Sequence, residues 1–264
     1  MPPAHARAVT KRIELALLPA EAAGIEADCF IVVDLLRATT TIATLLGAGA
    51  GAVTVASELG AARALAAHRG ALLYGEVGGL PPEGFDGGNS PVEARDAPVA
   101  GREVVLYTTN GTRALCALAT RGAVATGALA NASAVARFAA SHERVCVVCA
   151  GEARGMRFAL EDFAAAGGII RRLVALAPGA EMGDAAGLAI ETARYDDWLR
   201  AGLPQQTAAS ARLIAGSEHG QALARLGIAA DVSFCVEEDT TGAVPLVMEC
   251  GDGWATLRAW RPGG

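Results

Sequence analysis

The stretch Phe30-Ile31-Val32-Val33-Asp34-Leu35-Leu36-Arg37-Ala38-Thr39-Thr40-Thr41-Ile42-Ala43-Thr44-Leu45-Leu46 changes character partway along. Phe30 to Leu35 is apolar except for one acid near its end, which suits a strand buried on both faces. Thr40 to Leu46 reads as a buried helix. An acid, an arginine and three hydroxyls lie at the junction. A strand running straight into a helix is the repeating unit of a parallel sheet.

The same texture recurs outward from this point. Ala52 to Val55, Ala71 to Tyr74, Val104 to Tyr107, Ala123 to Ala125 and Val145 to Cys149 predict further strands. Glu58 to His68, Thr112 to Arg121, Ala132 to Ser141 and Leu160 to Leu176 are alanine-rich and predict helices between them. Arg12 to Leu17 reads as an additional strand. Asp184 to Ala201 and Gln205 to Ala215 read as two helices separated near Pro204. Val232 to Val236, Leu246 to Glu249 and Trp254 to Trp260 read as a closing set of strands with an antiparallel option. The expected fold is α/β: three layers, α/β/α, around a mostly parallel sheet that is mixed at its edges. There is no fixed-period repeat, low-complexity tract or linker, so residues 1–264 are expected to form one domain.

Composition narrows the function. The chain has 264 residues, 52% hydrophobic and 19% charged, enough for a sizeable core. Its net charge is −6 and Lys11 is its only lysine, which argues against a nonspecific nucleic-acid binder. No apolar run is long enough for a membrane-spanning helix, and Met1 to Lys11 lacks the apolar core of a secretory signal. Of six cysteines, Cys29, Cys146, Cys149 and Cys235 fall in apolar runs, where buried free thiols are common. A reducing, cytoplasmic setting is expected.

Parallel strands offer ligands the loops at their C-terminal ends. Four such loops are rich in polar groups. The first carries Asp34, Arg37, Thr39 and Thr40, a carboxylate for a hard cation beside donors for an anion. The plain alternative is helix capping by Asp34 or Thr39. The second, Gly75 to Glu93, is too rich in Gly and Pro for regular structure. It carries Glu76, Asp86, Asn89 and Ser90, while Leu80, Phe85 and its prolines argue for an ordered loop. The third is Thr108-Thr109-Asn110-Gly111-Thr112-Arg113, a second anion cradle by its likeness to the first. The fourth follows Cys149 and carries Arg154, Arg157, Glu161 and Asp162; the acids there either start a helix or serve as ligand or acid–base group. Asn131 is read as a helix cap. No GxxxxGK[ST] loop, dinucleotide fingerprint, zinc helix or serine triad is present. Among the histidines, only His219 is singled out as an acid or base.

Asp34-Leu-Leu-Arg-Ala-Thr-Thr, the Gly75 to Glu93 loop and Thr108-Thr-Asn-Gly-Thr-Arg-Ala together resemble the 2-phosphosulfolactate phosphatase family, ComB. The likeness extends through Gly127-Ala-Leu-Ala-Asn-Ala-Ser, Leu160-Glu-Asp-Phe-Ala-Ala-Ala-Gly and Asp231-Val-Ser-Phe-Cys. It implies a cytoplasmic α/β enzyme of unusual topology that hydrolyses 2-phospho-3-sulfolactate to 3-sulfolactate and phosphate with Mg²⁺, a step toward coenzyme M.

The roles expected on this basis are specific. Asp34, Glu76 and Asp86 or Asp162 would hold Mg²⁺, with Mn²⁺ as the alternative. Asp34, Arg37 and Asp162 form the expected catalytic group. Thr39, Thr40, Asn89, Ser90, Thr109, Asn110, Gly111, Thr112 and Arg113 would bind the phosphoryl end, and Arg154 and Arg157 a second anionic group. Attack by water and attack by Asp34 both stay open. The rival readings are a phosphatase for another 2-hydroxy-acid phosphate and a non-catalytic sensor of a phosphorylated metabolite. The expected partner is a small anionic phosphoester, and homo-oligomer formation is left open.

Overall fold

The computed structural model describes residues 8–202 and 209–260. Ten strands form one sheet: β1 (Arg12–Ala16), β2 (Cys29–Val33), β3 (Ala52–Ala56), β4 (Leu72–Gly75), β5 (Glu103–Tyr107), β6 (Ala123–Gly127), β7 (Arg144–Cys149), β8 (Glu181–Met182), β9 (Pro245–Gly251) and β10 (Trp254–Ala259). Their spatial order is β4-β5-β3-β10-β9-β6-β2-β7-β1-β8. The strand–helix alternation read from the sequence is present, with α1 (Ala38–Gly47), α2 (Leu59–Arg69), α3 (Pro91–Arg95), α4 (Gly111–Leu118), α5 (Ala132–Ala139) and α6 (Leu160–Leu176) in the connections.

All five residues of β2 are buried, and their alternation explains the layers. Cys29, Ile31 and Val33 pack in one core cluster with Val135, Phe138, Ile169 and Ile170 from α5 and α6. Phe30 and Val32 pack in another with Ile42 and Leu45 from α1 and Leu115 and Leu118 from α4. Each large side chain removed from water in this way contributes about 1.5–3 kcal/mol.

The antiparallel strands expected at the sheet edge are present, but they lie inside it. β9 and β10 form a hairpin closed by the two residues Asp252 and Gly253, with Gly253 at φ 72°. Asp-Gly is a favoured pair for such a turn because it needs positive φ. Three successive antiparallel pairings, β6 with β9, β9 with β10 and β10 with β3, reverse the strand sense. Thus β3, β5 and β4 run opposite to the parallel group β6, β2, β7, β1 and β8 along the ladder. Even so, the loops after β2, β4 and β5 border one cavity. Twist accounts for this: at about 20–25° per strand, the steps from β2 to β4 accumulate roughly 120–150°.

The C-terminal third departs from the sequence reading: β8 and the helix Glu218–Arg225 lie where the sequence predicts no element, and one predicted strand is a helix. Val232 to Val236 is not a strand; it lies mostly in α10 (Ala229–Cys235), after α7 (Asp184–Gly202), α8 (Ala209–Gly216) and α9 (Glu218–Arg225). The buried residues there are Asp231, Val232 and Cys235, a spacing of three to four that only a helix turns to one side. A strand would have buried Phe234 with Val232, and Phe234 is only half-buried. Pro204, the expected break between α7 and the helix after it, lies outside the described residues. Among the described residues, no helix is long and apolar enough to cross a membrane.

Candidate active site

β2 ends one residue before Asp34, and the turn into α1 is held by local hydrogen bonds. The Thr39 hydroxyl donates to the Asp34 carbonyl at 2.9 Å and accepts from the Asp34 N–H at 3.1 Å. Thr40 donates to the Leu35 carbonyl at 2.9 Å. Both threonines are fully buried and shape the turn, and neither lines the cavity. The Asp34 side chain accepts from the Ala38 N–H at 3.3 Å. It faces Gly111 at the start of α4, where an added Cβ would stand 2.6 Å from Asp34 Oδ2. Only a glycine lets the two loops approach this closely.

Glu76, just past β4, is held by three donors. Its Oε1 accepts from the Thr109 N–H at 2.8 Å and the Thr109 hydroxyl at 2.9 Å, and its Oε2 accepts from the Gly79 N–H at 2.8 Å. The carbonyl of Gly79 in turn accepts from Arg37 Nη2 at 2.7 Å. Arg37 Nη1 donates to Asp231 Oδ2 at 2.6 Å, and Ser90 Oγ donates to Asp231 Oδ1 at 2.6 Å. Ser90 also caps α3 by accepting from the Glu93 N–H. Asp231 therefore ties two of the sequence-predicted loops together from a distant helix.

Asp162 has a bridging position. Its two carboxylate oxygens accept from the N–H groups of Leu35 at 2.9 Å and Gly151 at 3.0 Å. This joins the loops after β2 and β7 beneath the cavity rather than lining it. Burial, then the Asp34 charge, push the Asp162 carboxyl well above the usual range, against the pull of those two donors. Burial also pushes Asp34 up to about 6. Glu161 faces His219 on α9, with Oε1 3.0 Å from Nδ1. Burial pushes the Glu161 carboxyl up, but the bond and charge of His219 outweigh it and hold the group below its ordinary value. Burial pulls the His219 imidazole down, and Glu161 more than reverses this.

The resulting cavity has a volume of about 520 Å³, the size of a small-metabolite site. Of the predicted residues it gathers Asp34, Arg37, Glu76, Asn89, Thr109, Asn110 and Arg157. Asn89 is 4% exposed, and its buried Oδ1 has no partner among the described residues. Thr112 is buried and turns its hydroxyl back to the Thr108 carbonyl at 2.8 Å. Asp86 is not brought to Asp34 and Glu76. It is exposed, and its carboxylate accepts from the Leu73 N–H at 2.8 Å, which fastens the long loop to β4. Arg113 pairs with Glu58 and the Ser57 carbonyl and borders, with Arg154, a separate hollow of about 390 Å³. Arg154 reaches the main site only through its backbone N–H, which donates to Asn110 Oδ1 at 2.9 Å.

Several lining or supporting residues escaped the sequence reading. Asp231 and Glu152 are among them, as are Glu218 and Arg225 of α9, which supplies one wall together with the expected His219. One usable signal was present for Asp231: a lone acid in an apolar segment at helical spacing from Val232 and Cys235. Glu152, Glu161 and His219 place their ligand atoms within 4.8 Å of one another. Glu152, however, is engaged by Arg157, and Glu161 by His219.

Comparison with known proteins agrees with the geometry. The family profile described as 2-phosphosulpholactate phosphatase matches residues 17–249. A "Probable 2-phosphosulfolactate phosphatase" of Deinococcus radiodurans is 40% identical over 231 residues, covering 85% of this chain and 90% of that protein. Proteins of the same description from Gloeobacter violaceus and Thermus thermophilus are 38% and 39% identical, covering 85% and 83% of this chain and 90% and 88% of theirs.

Proposed function

The chain belongs to the 2-phosphosulfolactate phosphatase family, and from that premise we propose that it hydrolyses the phosphate monoester of a small anionic 2-hydroxy acid, 2-phospho-3-sulfolactate before others. The products are 3-sulfolactate and inorganic phosphate. The observation that carries this reading is the meeting, in one small cavity, of Asp34 and Glu76 from two separate strand-end loops with Arg37 and Asn89.

The donor set suits a divalent metal. Asp34, Glu76 and Asn89 Oδ1, which has no partner among the described residues, are all oxygen donors, the choice of Mg²⁺, with Mn²⁺ next. Buried carboxylates also repel one another, as Glu76 and Glu161 do Asp34, and a trianionic substrate adds to that repulsion. When bound, a divalent cation offsets negative charge on the phosphoryl oxygens. The chain's own groups do the rest. Arg37, locked by Asp231 and the Gly79 carbonyl, presents its remaining N–H groups to the phosphoryl end without having to reorganise. Arg157 and Arg225 on the rim are placed for the carboxylate or sulfonate.

The test is phosphate release from 2-phosphosulfolactate, 2-phospholactate and 2-phosphoglycerate, with and without Mg²⁺. Metal-dependent turnover is expected, greatest on the sulfonated ester and lowered at least 100-fold in Asp34→Asn and Glu76→Gln. Tight metabolite binding without release would move the chain to the sensor class. Near-normal turnover in both variants would remove these carboxylates from the reaction.

A further inference from the structure

We infer that His219, held by Glu161, donates the proton to the departing alcohol oxygen, which makes it a catalytic residue and Glu161 a positioning residue. This rests on the phosphatase reading above.

The geometry is that of an oriented acid. Glu161 is 2% exposed and pairs with Nδ1, leaving Nε2 as the ring nitrogen free to meet a ligand. His219 is 28% exposed and lines the same cavity as Asp34 and Arg37. The groups that act on it come from several elements. They are Glu161 on α6, Asp34 after β2 and Glu152 after β7, with Arg157 facing Glu152, and Glu218 on its own helix. The acids among them favour the imidazolium, consistent with a ring held above its ordinary value. A metal in this cluster is the competing use. The pairing of Glu161 with His219 and of Glu152 with Arg157 satisfies the cluster without one, and a hard cation prefers oxygen ligands throughout.

The step balances without another reactant. The phosphorus–oxygen bond to the alcohol breaks and its electron pair stays on that oxygen. The proton on Nε2 moves there to give the hydroxy acid. Water contributes its oxygen and both hydrogens to the phosphoryl group, which leaves as dihydrogen phosphate, and the neutral imidazole recovers its proton from solvent. Protonation of this kind is worth about 10²–10⁴-fold for a basic leaving group. It is worth little for p-nitrophenolate, which leaves without help.

The experiment compares wild type, His219→Gln, His219→Asn and Glu161→Gln with Mg²⁺ on a series of phosphate monoesters. The series runs from the 2-hydroxy-acid ester to p-nitrophenyl phosphate, with folding checked by circular dichroism. In the His219 variants the expected loss in kcat is about 10²–10⁴-fold on the alkyl ester and under about tenfold on the aryl ester. Glu161→Gln is expected to fall between these and to move the alkaline limb of the pH–rate profile to lower pH. An equal loss on both esters, or a loss that tracks weakened Mg²⁺ affinity, overturns the proton-donor role while the phosphatase reading stands. No turnover of any ester by wild type overturns both.

Discussion

Arg37 Nη1 lies 2.6 Å from Asp231 Oδ2, and both side chains are 4% exposed. The pair joins the first strand-end loop to a helix near the other end of the chain. Asp231 also receives the Ser90 hydroxyl, so one carboxylate sets both the direction of Arg37 and the end of the long loop.

Removing Asp231 strands a buried guanidinium. Asp231→Ala is expected to lower stability by about 3–5 kcal/mol in urea unfolding, the usual cost of breaking a buried ion pair from one side. Replacing both partners, as Arg37→Met with Asp231→Leu, should recover much of that stability while leaving turnover abolished. Equal stability of the single and double variants would show that the pair is not coupled.

Gly111 tests the closeness of the loops. The Cβ of Gly111→Ala would stand 2.8 Å from Ala38 Cβ and 2.6 Å from Asp34 Oδ2. The backbone there does not need positive φ, so the effect is one of space. We expect kcat to fall at least 100-fold, as Asp34 is displaced, with a melting temperature lowered by only a few degrees. Wild-type kcat in this variant would place Asp34 outside the reaction.

The Glu161–His219 pair has a pH window. Glu161 is held below its ordinary 4.5, so its contribution is present above that value and lost as pH falls through the lowered one. His219 is raised above 6.5, so its contribution is complete below 6.5 and lost as pH rises through the raised value. The two overlap between roughly pH 4.5 and 6.5. The melting-temperature gap between wild type and His219→Gln should be widest near pH 5.5, narrowing toward pH 3 and pH 9. A gap independent of pH would mean the contact is not ionic.

The six cysteines are free, and Cys29, Cys146, Cys149 and Cys235 are buried, as their apolar surroundings in the sequence suggested. Burial pushes Cys146, Cys235 and half-buried Cys116 up to about 12, and Cys29 and Cys149 upward as well. At pH 8, Ellman's reagent should therefore consume about one fast equivalent, at exposed Cys250, and the other thiols only after denaturation. Cys250→Ser should abolish the fast phase.

The local pattern of residues was enough to establish the strands, the helices that follow them and the position of acids and hydroxyls where strands end, because the hydrogen bonding and side-chain periodicity of an element are written within a dozen residues. It placed Asp34, Glu76, Asn89 and Thr109 correctly on loops. It could not place the β9–β10 hairpin inside the sheet, since strand order depends on which distant apolar faces cover each other. Nor could it separate Glu76, which enters the cavity, from Asp86, which turns back to the Leu73 N–H. The union of Arg37 with Asp231 and of Glu161 with His219 was likewise decided only in three dimensions. Accumulated sheet twist and helix packing bring these groups together across long spans of chain, and no short segment carries a trace of that approach.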